Sequence, residues 1–124
     1  MGVNDYVHAS PLGYAANDAK AVAEVLQQRF AFDAENIHVL LNRDATRTAI
    51  HKAFLDFSGQ ATHIDDRLLV FFAGHGHTER SRRGDVGYLV PCDGNPSDLS
   101  TLLRRDTLTR DADLIDAKHI LVTL

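Results

Sequence analysis

A histidine flanked by two glycines follows a long apolar run: Gly74-His75-Gly76-His77 comes directly after RLLVFFA (67–73). Bulky apolar residues at nearly every position predict a strand buried on both faces, as in a parallel sheet. In an open α/β sheet, ligands bind beyond the carboxyl ends of the strands, which is where this turn falls. A histidine there can act as a general base or as the cationic partner of a thiolate. A turn histidine without any chemistry fits the spacing equally well.

The neighbours of this histidine suggest two kinds of site. Gly74 and Gly76 would allow strained backbone angles and a close approach of substrate to the main chain. The N–H of Gly76 could also help to bind an oxyanion. In the second kind of site, the two histidines of the turn would bind zinc together with Asp85 or Asp93. Their spacing is not a recognised zinc signature, so we expect no metal and no cofactor.

The elements that position this turn alternate between strands and helices. We predict strands at 36–41, 67–73, 87–91 and 118–124, after a strand end at Gly2, and helices at 17–30, 46–57 and 106–117. Irregular stretches are expected at about 74–84 and 92–105. The N-caps are predicted at Asn17 or Asp18 and at Thr46. The inward faces of the first two helices would be Ala19, Val22, Leu26 and Phe30, and Ile50, Ala53, Phe54 and Phe57.

Short connections between alternating strands and helices imply right-handed crossovers. We therefore expect an α/β fold, built as a three-layer α/β/α sandwich around a mostly parallel sheet. With 124 residues, 44% of them hydrophobic, the chain fits one domain, 1–124. Both ends look cut, because little apolar sequence precedes Gly2 and the last predicted strand stops at Leu124. We expect a fragment.

Composition restricts the partners. The chain has 13 Lys and Arg against 17 Asp and Glu, a net charge of −4, which argues against a nucleic-acid partner. No apolar run reaches about 18 residues, so no membrane partner is expected. The single cysteine, Cys92, fits a reducing compartment, and we predict a cytoplasmic location.

Four segments in order resemble the catalytic large-subunit domain of caspase-like cysteine peptidases, closest to bacterial caspase homologues and metacaspases. They are PLGYAANDAKAVAEVL (11–26), LLVFFAGHGH (68–77), GYLVPCDG (87–94) and AKHILVTL (117–124). The resemblance implies a caspase-like (caspase-hemoglobinase) fold, incomplete in this chain, and a peptide or protein substrate. It also implies that His75 is the catalytic histidine and that Gly76 supplies one oxyanion N–H.

The same resemblance places the nucleophile outside the printed sequence. In this family the catalytic cysteine lies in an Asp-x-Cys turn just past the strand that matches KHILVTL. The remainder of its own chain, C-terminal to Leu124, is therefore an expected partner, and the fragment itself is predicted to be inactive. Cys92 invites a pairing with His75, but it follows the wrong strand, after Pro91. We interpret it as a structural cysteine.

The resemblance further implies that Asp18 binds substrate, lining the pocket for the residue before the scissile bond and favouring Arg or Lys there. The alternative is that Asp18 merely caps the first helix. Aspartate-specific members place an arginine near Leu12, and none occurs between Met1 and Glu24, so cleavage after Asp is disfavoured.

Two further hypotheses remain. The basic loop RSRRG (80–84) is a solvated loop or, if Arg is preferred, a self-processing site. It lacks the acidic cluster of calcium-dependent metacaspases, which argues against calcium dependence. For the chain as a whole, the alternative to a peptidase is a non-catalytic, pseudo-peptidase module for interaction or signalling.

Overall fold

In the computed structural model, which describes residues 1–59, 65–112 and 119–123, two helices are followed by four strands, a third helix and a fifth strand. The helices are α1 (Ala15–Arg29), α2 (Arg47–Gly59) and α3 (Arg105–Ala112). The strands are β1 (Arg67–Phe71), β2 (Gly76–Glu79), β3 (Val86–Leu89), β4 (Leu103–Arg104) and β5 (His119–Thr123). Short 3-10 turns lie at Ala34–Asn36, Asn42–Asp44 and Leu99–Thr101.

Strands β1 and β5 pair in parallel, with Phe71 opposite Thr123. This confirms the predicted strands at 67–73 and at the end of the chain. Gly2 forms parallel bridges to Leu41 on one side and to Ala73 on the other. The first residues of the chain therefore lie between the segment at Leu41 and the carboxyl end of β1.

A small antiparallel sheet of β2, β3 and β4, in that order, follows the histidine turn. Its first strand was not predicted, because the sequence analysis assigned 74–84 to an irregular stretch. Strand β2 has three exposed residues out of four, and it lies at the edge of its sheet. A polar edge strand of this kind lacks the apolar alternation by which half-buried strands are recognised.

The predicted strand at 36–41 is wrong. A 3-10 turn occupies Ala34–Asn36, and the segment that follows contributes only the single bridge from Leu41 to Gly2. An apolar segment becomes a strand only where a neighbouring backbone can pair with it. Among the described residues, the neighbouring backbone meets the segment only at its end, where Gly2 donates to the carbonyl of Leu40 and bridges Leu41.

The apolar face predicted for α1 is only partly buried. Ala19 is buried, Val22 and Leu26 are half-buried, and Phe30 is 65% exposed. This face lines a cavity of about 540 Å³ that also borders β1. The inward face of α1 was therefore predicted correctly at Ala19 and wrongly at Phe30.

The prediction for α2 is confirmed at its start and along its inner face. The hydroxyl of Thr46 accepts the N–H of Ala49 at 3.1 Å, as expected of an N-cap. Ile50 and Phe54 are buried, and Ala53 is half-buried. The side chain of Phe57 lies outside the described residues.

One apolar cluster joins α2, α3 and both sheets. Its buried members are Val3, Ala45, Ile50, Phe54, Val70, Phe72, Leu89, Cys92, Leu103 and Leu108. Because Phe72 and Leu89 belong to it, the cluster fixes β1 and β3 on either side of the histidine turn. The chain thus has an α/β fold, while the three-layer sandwich stays a prediction. Among the described helices, none combines the length and apolar character needed to cross a bilayer.

Candidate active site

The backbone of His75 is held on both sides. Its N–H donates to the hydroxyl of Tyr6 at 2.7 Å, and its carbonyl accepts the N–H of Val90 at 3.0 Å. The residue follows β1 and precedes β2, and it is half-buried. The turn therefore presents the imidazole from a fixed backbone rather than from a loose loop.

The imidazole has a defined orientation. Nε2 of His75 lies 2.8 Å from the carbonyl oxygen of Ser10. A carbonyl can only accept a hydrogen bond, so Nε2 must carry the proton of this bond. In the neutral ring Nδ1 is then unprotonated and able to accept a proton. The hydrogen bond thus selects the tautomer in which Nδ1 is the base.

The loop that precedes α1 supplies two of these contacts to His75, those of Tyr6 and Ser10, and it is tied down at several points. The N–H of Leu12 donates to the carbonyl of Asn4 at 2.8 Å, and the N–H of Val7 donates to the carbonyl of Cys92 at 3.0 Å. The side-chain oxygen of Asn4 accepts the N–H of Ala16, in the first turn of α1, at 3.1 Å. These bonds hold the loop against the histidine turn and connect it to the start of α1.

Asp18 lies exposed in the first turn of α1. The N-cap position is Tyr14, which makes no side-chain capping bond, while Asn4 supplies an acceptor for the helix N-terminus. The prediction of an N-cap at Asn17 or Asp18 is therefore wrong. Within residues 1–59, 65–112 and 119–123, no hydrogen bond or ion pair joins Asp18 to His75. The structure leaves its carboxylate free to face solvent at the end of α1 nearest the loop.

The N–H of Gly76 points away from β3. Residues of antiparallel strands alternate between pairs that exchange hydrogen bonds and pairs that do not. His75 and Val90 form a hydrogen-bonded pair, because the N–H of Val90 donates to the carbonyl of His75. The next pair, Gly76 and Leu89, is therefore one that exchanges no hydrogen bonds. Because β2 is an edge strand, this N–H is directed to the open side of the sheet.

The two glycines of the turn do not adopt strained backbone angles, contrary to expectation. Among the described residues, the one glycine with a positive φ is Gly84, at 115°. Gly74 is needed for a different reason: a Cβ there would lie 2.6 Å from the hydroxyl of Tyr6 and 2.9 Å from the ring of Phe72. A Cβ at Gly76 would meet nothing closer than 3.6 Å. Close packing, rather than φ, requires the first glycine.

Cys92 is part of the scaffold. It is 6% exposed, and its thiol lies 3.7 Å from the carbonyl oxygen of Arg43. Burial, followed by the nearby charge of Asp93, raises the pKa of the Cys92 thiol above its ordinary value. A raised pKa lowers the thiolate fraction and so the nucleophilicity. The geometry agrees with the interpretation of Cys92 as a structural cysteine.

The side chain of His77 contacts the carboxylate of Glu79 and is not part of a metal-ligand cluster of the described residues. Its Nε2 lies 3.2 Å from a carboxylate oxygen of Glu79. In the part of the chain that the structure describes, no group of three His, Cys, Asp or Glu side chains is placed to hold a metal ion. The zinc alternative with Asp85 or Asp93 has no such cluster to support it.

Sequence reasoning gave no role to Tyr6 or Ser10. Ser10 acts through its backbone carbonyl, which any residue type could provide. Tyr6 lies 69 positions from His75 and Ser10 lies 65 positions from it, so no local spacing connects them. The signal that was available is the polar Asn4-Asp5-Tyr6 corner after the first strand end, at the same sheet edge as His75.

Comparison with known proteins identifies the family of this chain. The family model described as Caspase domain matches residues 1–119, and this chain belongs to the caspase domain family. The resemblance predicted from the four sequence segments is thereby confirmed. The chain is also similar to Metacaspase-4 of Arabidopsis thaliana, with 31% identity over 106 residues, covering 77% of this chain and 25% of the relative. The chain thus spans about a quarter of that protein's length.

Proposed function

We propose that this chain forms part of a cysteine endopeptidase domain that cleaves peptides after Arg or Lys, with His75 as the acid–base residue. The observation that supports the proposal most directly is the parallel pairing of β1 and β5. In parallel strands the carboxyl ends meet at one edge of the sheet, which is where such sheets carry their sites. We further propose that helices cover both faces of this sheet, as a three-layer sandwich.

The register of the two strands supports a nucleophile that follows β5. Thr123 lies opposite Phe71, and His75 comes four residues after Phe71. A segment that continues from β5 would enter the sheet edge beside the imidazole. Cys92 is buried and has a raised thiol pKa, so we place the nucleophilic cysteine in the segment after β5.

The reaction would proceed through an acyl-enzyme. The thiolate attacks the peptide carbonyl, and the C–N bond breaks as the imidazolium of His75 donates its Nδ1 proton to the leaving amine. Nδ1 then accepts a proton from the water that hydrolyses the thioester, and the cysteine leaves as a thiolate, which restores the starting thiolate and imidazolium. The carbonyl of Ser10 holds the Nε2 proton throughout, while the N–H of Gly76 stabilises the oxyanion of both tetrahedral intermediates.

The preference for a basic residue rests on Asp18. An exposed carboxylate in the first turn of α1 can form a charge-assisted pair with an Arg or Lys side chain of the substrate. An acidic substrate residue would instead meet a like charge. The position therefore favours cleavage after basic residues.

The test uses the full-length protein and peptide substrates with Arg, Lys, Ala or Asp before the scissile bond. We expect hydrolysis after Arg and Lys, and a loss of about 10²–10⁴-fold in kcat for His75→Ala, the usual contribution of general acid–base catalysis. Asp18→Asn should reduce kcat/KM for the Arg and Lys peptides while leaving the Ala peptide unchanged. His77→Ala, at a neighbouring histidine outside the proposed machinery, serves as the matched control.

Two results would overturn the proposal. Equal activity in His75→Ala and His77→Ala would remove His75 from the chemistry. A full-length protein that binds these peptides without cleaving any of them would favour the non-catalytic module.

A further inference from the structure

We propose that Tyr6 is the positioning residue for His75, fixing both its backbone and its imidazole in the orientation that acid–base catalysis needs. This inference deepens the proposed function and rests on it. Nothing in the spacing of the sequence assigns Tyr6 a role.

The hydroxyl of Tyr6 replaces a strand partner at His75. In a hydrogen-bonded pair of antiparallel strands, the two residues exchange both backbone hydrogen bonds. His75 accepts from Val90, but its own N–H donates to the Tyr6 hydroxyl at 2.7 Å instead. Tyr6 therefore satisfies the backbone donor of His75, which would otherwise face Val90 without a bond.

The ring of Tyr6 packs against the imidazole of His75, the residue whose backbone N–H its hydroxyl accepts. The ring centroids of Tyr6 and His75 are 4.8 Å apart, with their planes inclined by 52°, which is within the range of favourable aromatic contacts. Ser10, whose carbonyl meets Nε2 of His75, lies four residues after Tyr6 on the same loop. One segment thus carries the acceptor, the ring and the hydroxyl that together define the imidazole's position.

The lack of a side chain at Gly74 makes room for the Tyr6 hydroxyl. A Cβ at position 74 would come within 2.6 Å of the Tyr6 hydroxyl, so the hydroxyl occupies the space that any side chain would need. Burial is the largest cause that raises the pKa of Tyr6 above its ordinary value. The phenol consequently stays neutral over the pH range in which His75 would work.

The test replaces Tyr6 by Phe in the full-length protein, because Phe keeps the ring and removes only the hydroxyl. Tyr14→Phe is the matched control, since Tyr14 is 78% exposed. We expect Tyr6→Phe to lower kcat about tenfold with KM unchanged, because the imidazole would less often hold the orientation that proton transfer needs; a factor of ten in rate corresponds to about 1.4 kcal/mol. Nitrogen-15 NMR should show a smaller fraction of the Nε2–H tautomer of His75, and its amide should exchange faster with solvent.

A second variant moves the Tyr6 hydroxyl without removing it. Gly74→Ala keeps Tyr6 but displaces its hydroxyl, and it should change the His75 tautomer in the same direction. A kcat and tautomer for Tyr6→Phe equal to those of Tyr14→Phe would overturn the inference, even in an active peptidase. In a full-length protein without peptidase activity, a changed tautomer would still support the positioning role while the proposed function fails.

Discussion

Replacing Gly74 by Ala tests how tightly the loop before α1 closes over the histidine turn. The new Cβ would lie 2.6 Å from the Tyr6 hydroxyl and 2.9 Å from the Phe72 ring. Inserting a methyl group into a packed site costs about 1–3 kcal/mol. Gly13→Ala is the matched control, because nothing lies within 4 Å of a Cβ at that position.

The comparison with Gly13→Ala cancels the effect that both substitutions have on the unfolded chain. Each one reduces the entropy of the unfolded chain, by about 0.4–1 kcal/mol. The difference between the two variants therefore reports the steric contact alone. We expect Gly74→Ala to be about 2 kcal/mol less stable than Gly13→Ala, which for a chain of this length lowers Tm by about 6–12 °C.

The assay is thermal and denaturant unfolding followed by circular dichroism, repeated in the Tyr6→Phe background. There the closest contact of the new methyl group disappears and the contact with the Phe72 ring remains. Gly74→Ala should consequently cost less than in the wild type, with a coupling energy of about 1 kcal/mol, as is common for residues in contact. Equal stability of Gly74→Ala and Gly13→Ala would refute the close approach of Tyr6 to Gly74.

Three further predictions concern the scaffold of the site. Cys92 should react with iodoacetamide far more slowly in the folded than in the unfolded protein. Equal reactivity in the folded and unfolded protein would contradict this. Because the pKa of the Cys92 thiol is raised in the folded protein, its contribution to stability should be present below the ordinary thiol pKa and lost as pH rises above it. Cys92→Ala should remove this loss of stability at high pH. Asn4→Ala should destabilise the protein by about 0.5–2 kcal/mol, because the side-chain oxygen of Asn4 caps the N-terminus of α1. Asn17→Ala, at an exposed position, should have little effect. Denaturant titration of the two variants measures the difference, and equal midpoints would contradict the prediction. Thr46→Ala should cost about 1 kcal/mol through the lost cap of α2, and an unchanged midpoint would contradict this.

Local patterns predicted the elements that carry their own signal. The apolar run before the histidine turn predicted β1, the apolar run at the end of the chain predicted β5, and a threonine before an amphipathic stretch predicted the start of α2. Strand β2 escaped prediction because its residues are polar and mostly exposed. The segment at 36–41 was predicted as a strand because it is apolar, but among the described residues a neighbouring backbone meets only its end, at Leu40 and Leu41.

The site was predictable only in part, for a physical reason. His75 was indicated by its place at the carboxyl end of a buried strand, and the structure puts it at that edge. Its contacts with Tyr6 and Ser10 depend on tertiary packing across more than sixty residues. The role of Gly74 was misread for the same reason, since it depends on the position of Tyr6 and not on the local backbone.

The central claim is that the sheet edge at His75 receives its nucleophile from the segment after β5. The direct measurement is mass-spectrometric mapping of the cysteine that a peptide electrophile ending in Arg labels in the full-length protein. The account predicts a single labelled cysteine shortly after β5, with labelling lost in His75→Ala and retained in His77→Ala. Labelling of Cys92, or labelling that does not depend on His75, would contradict it.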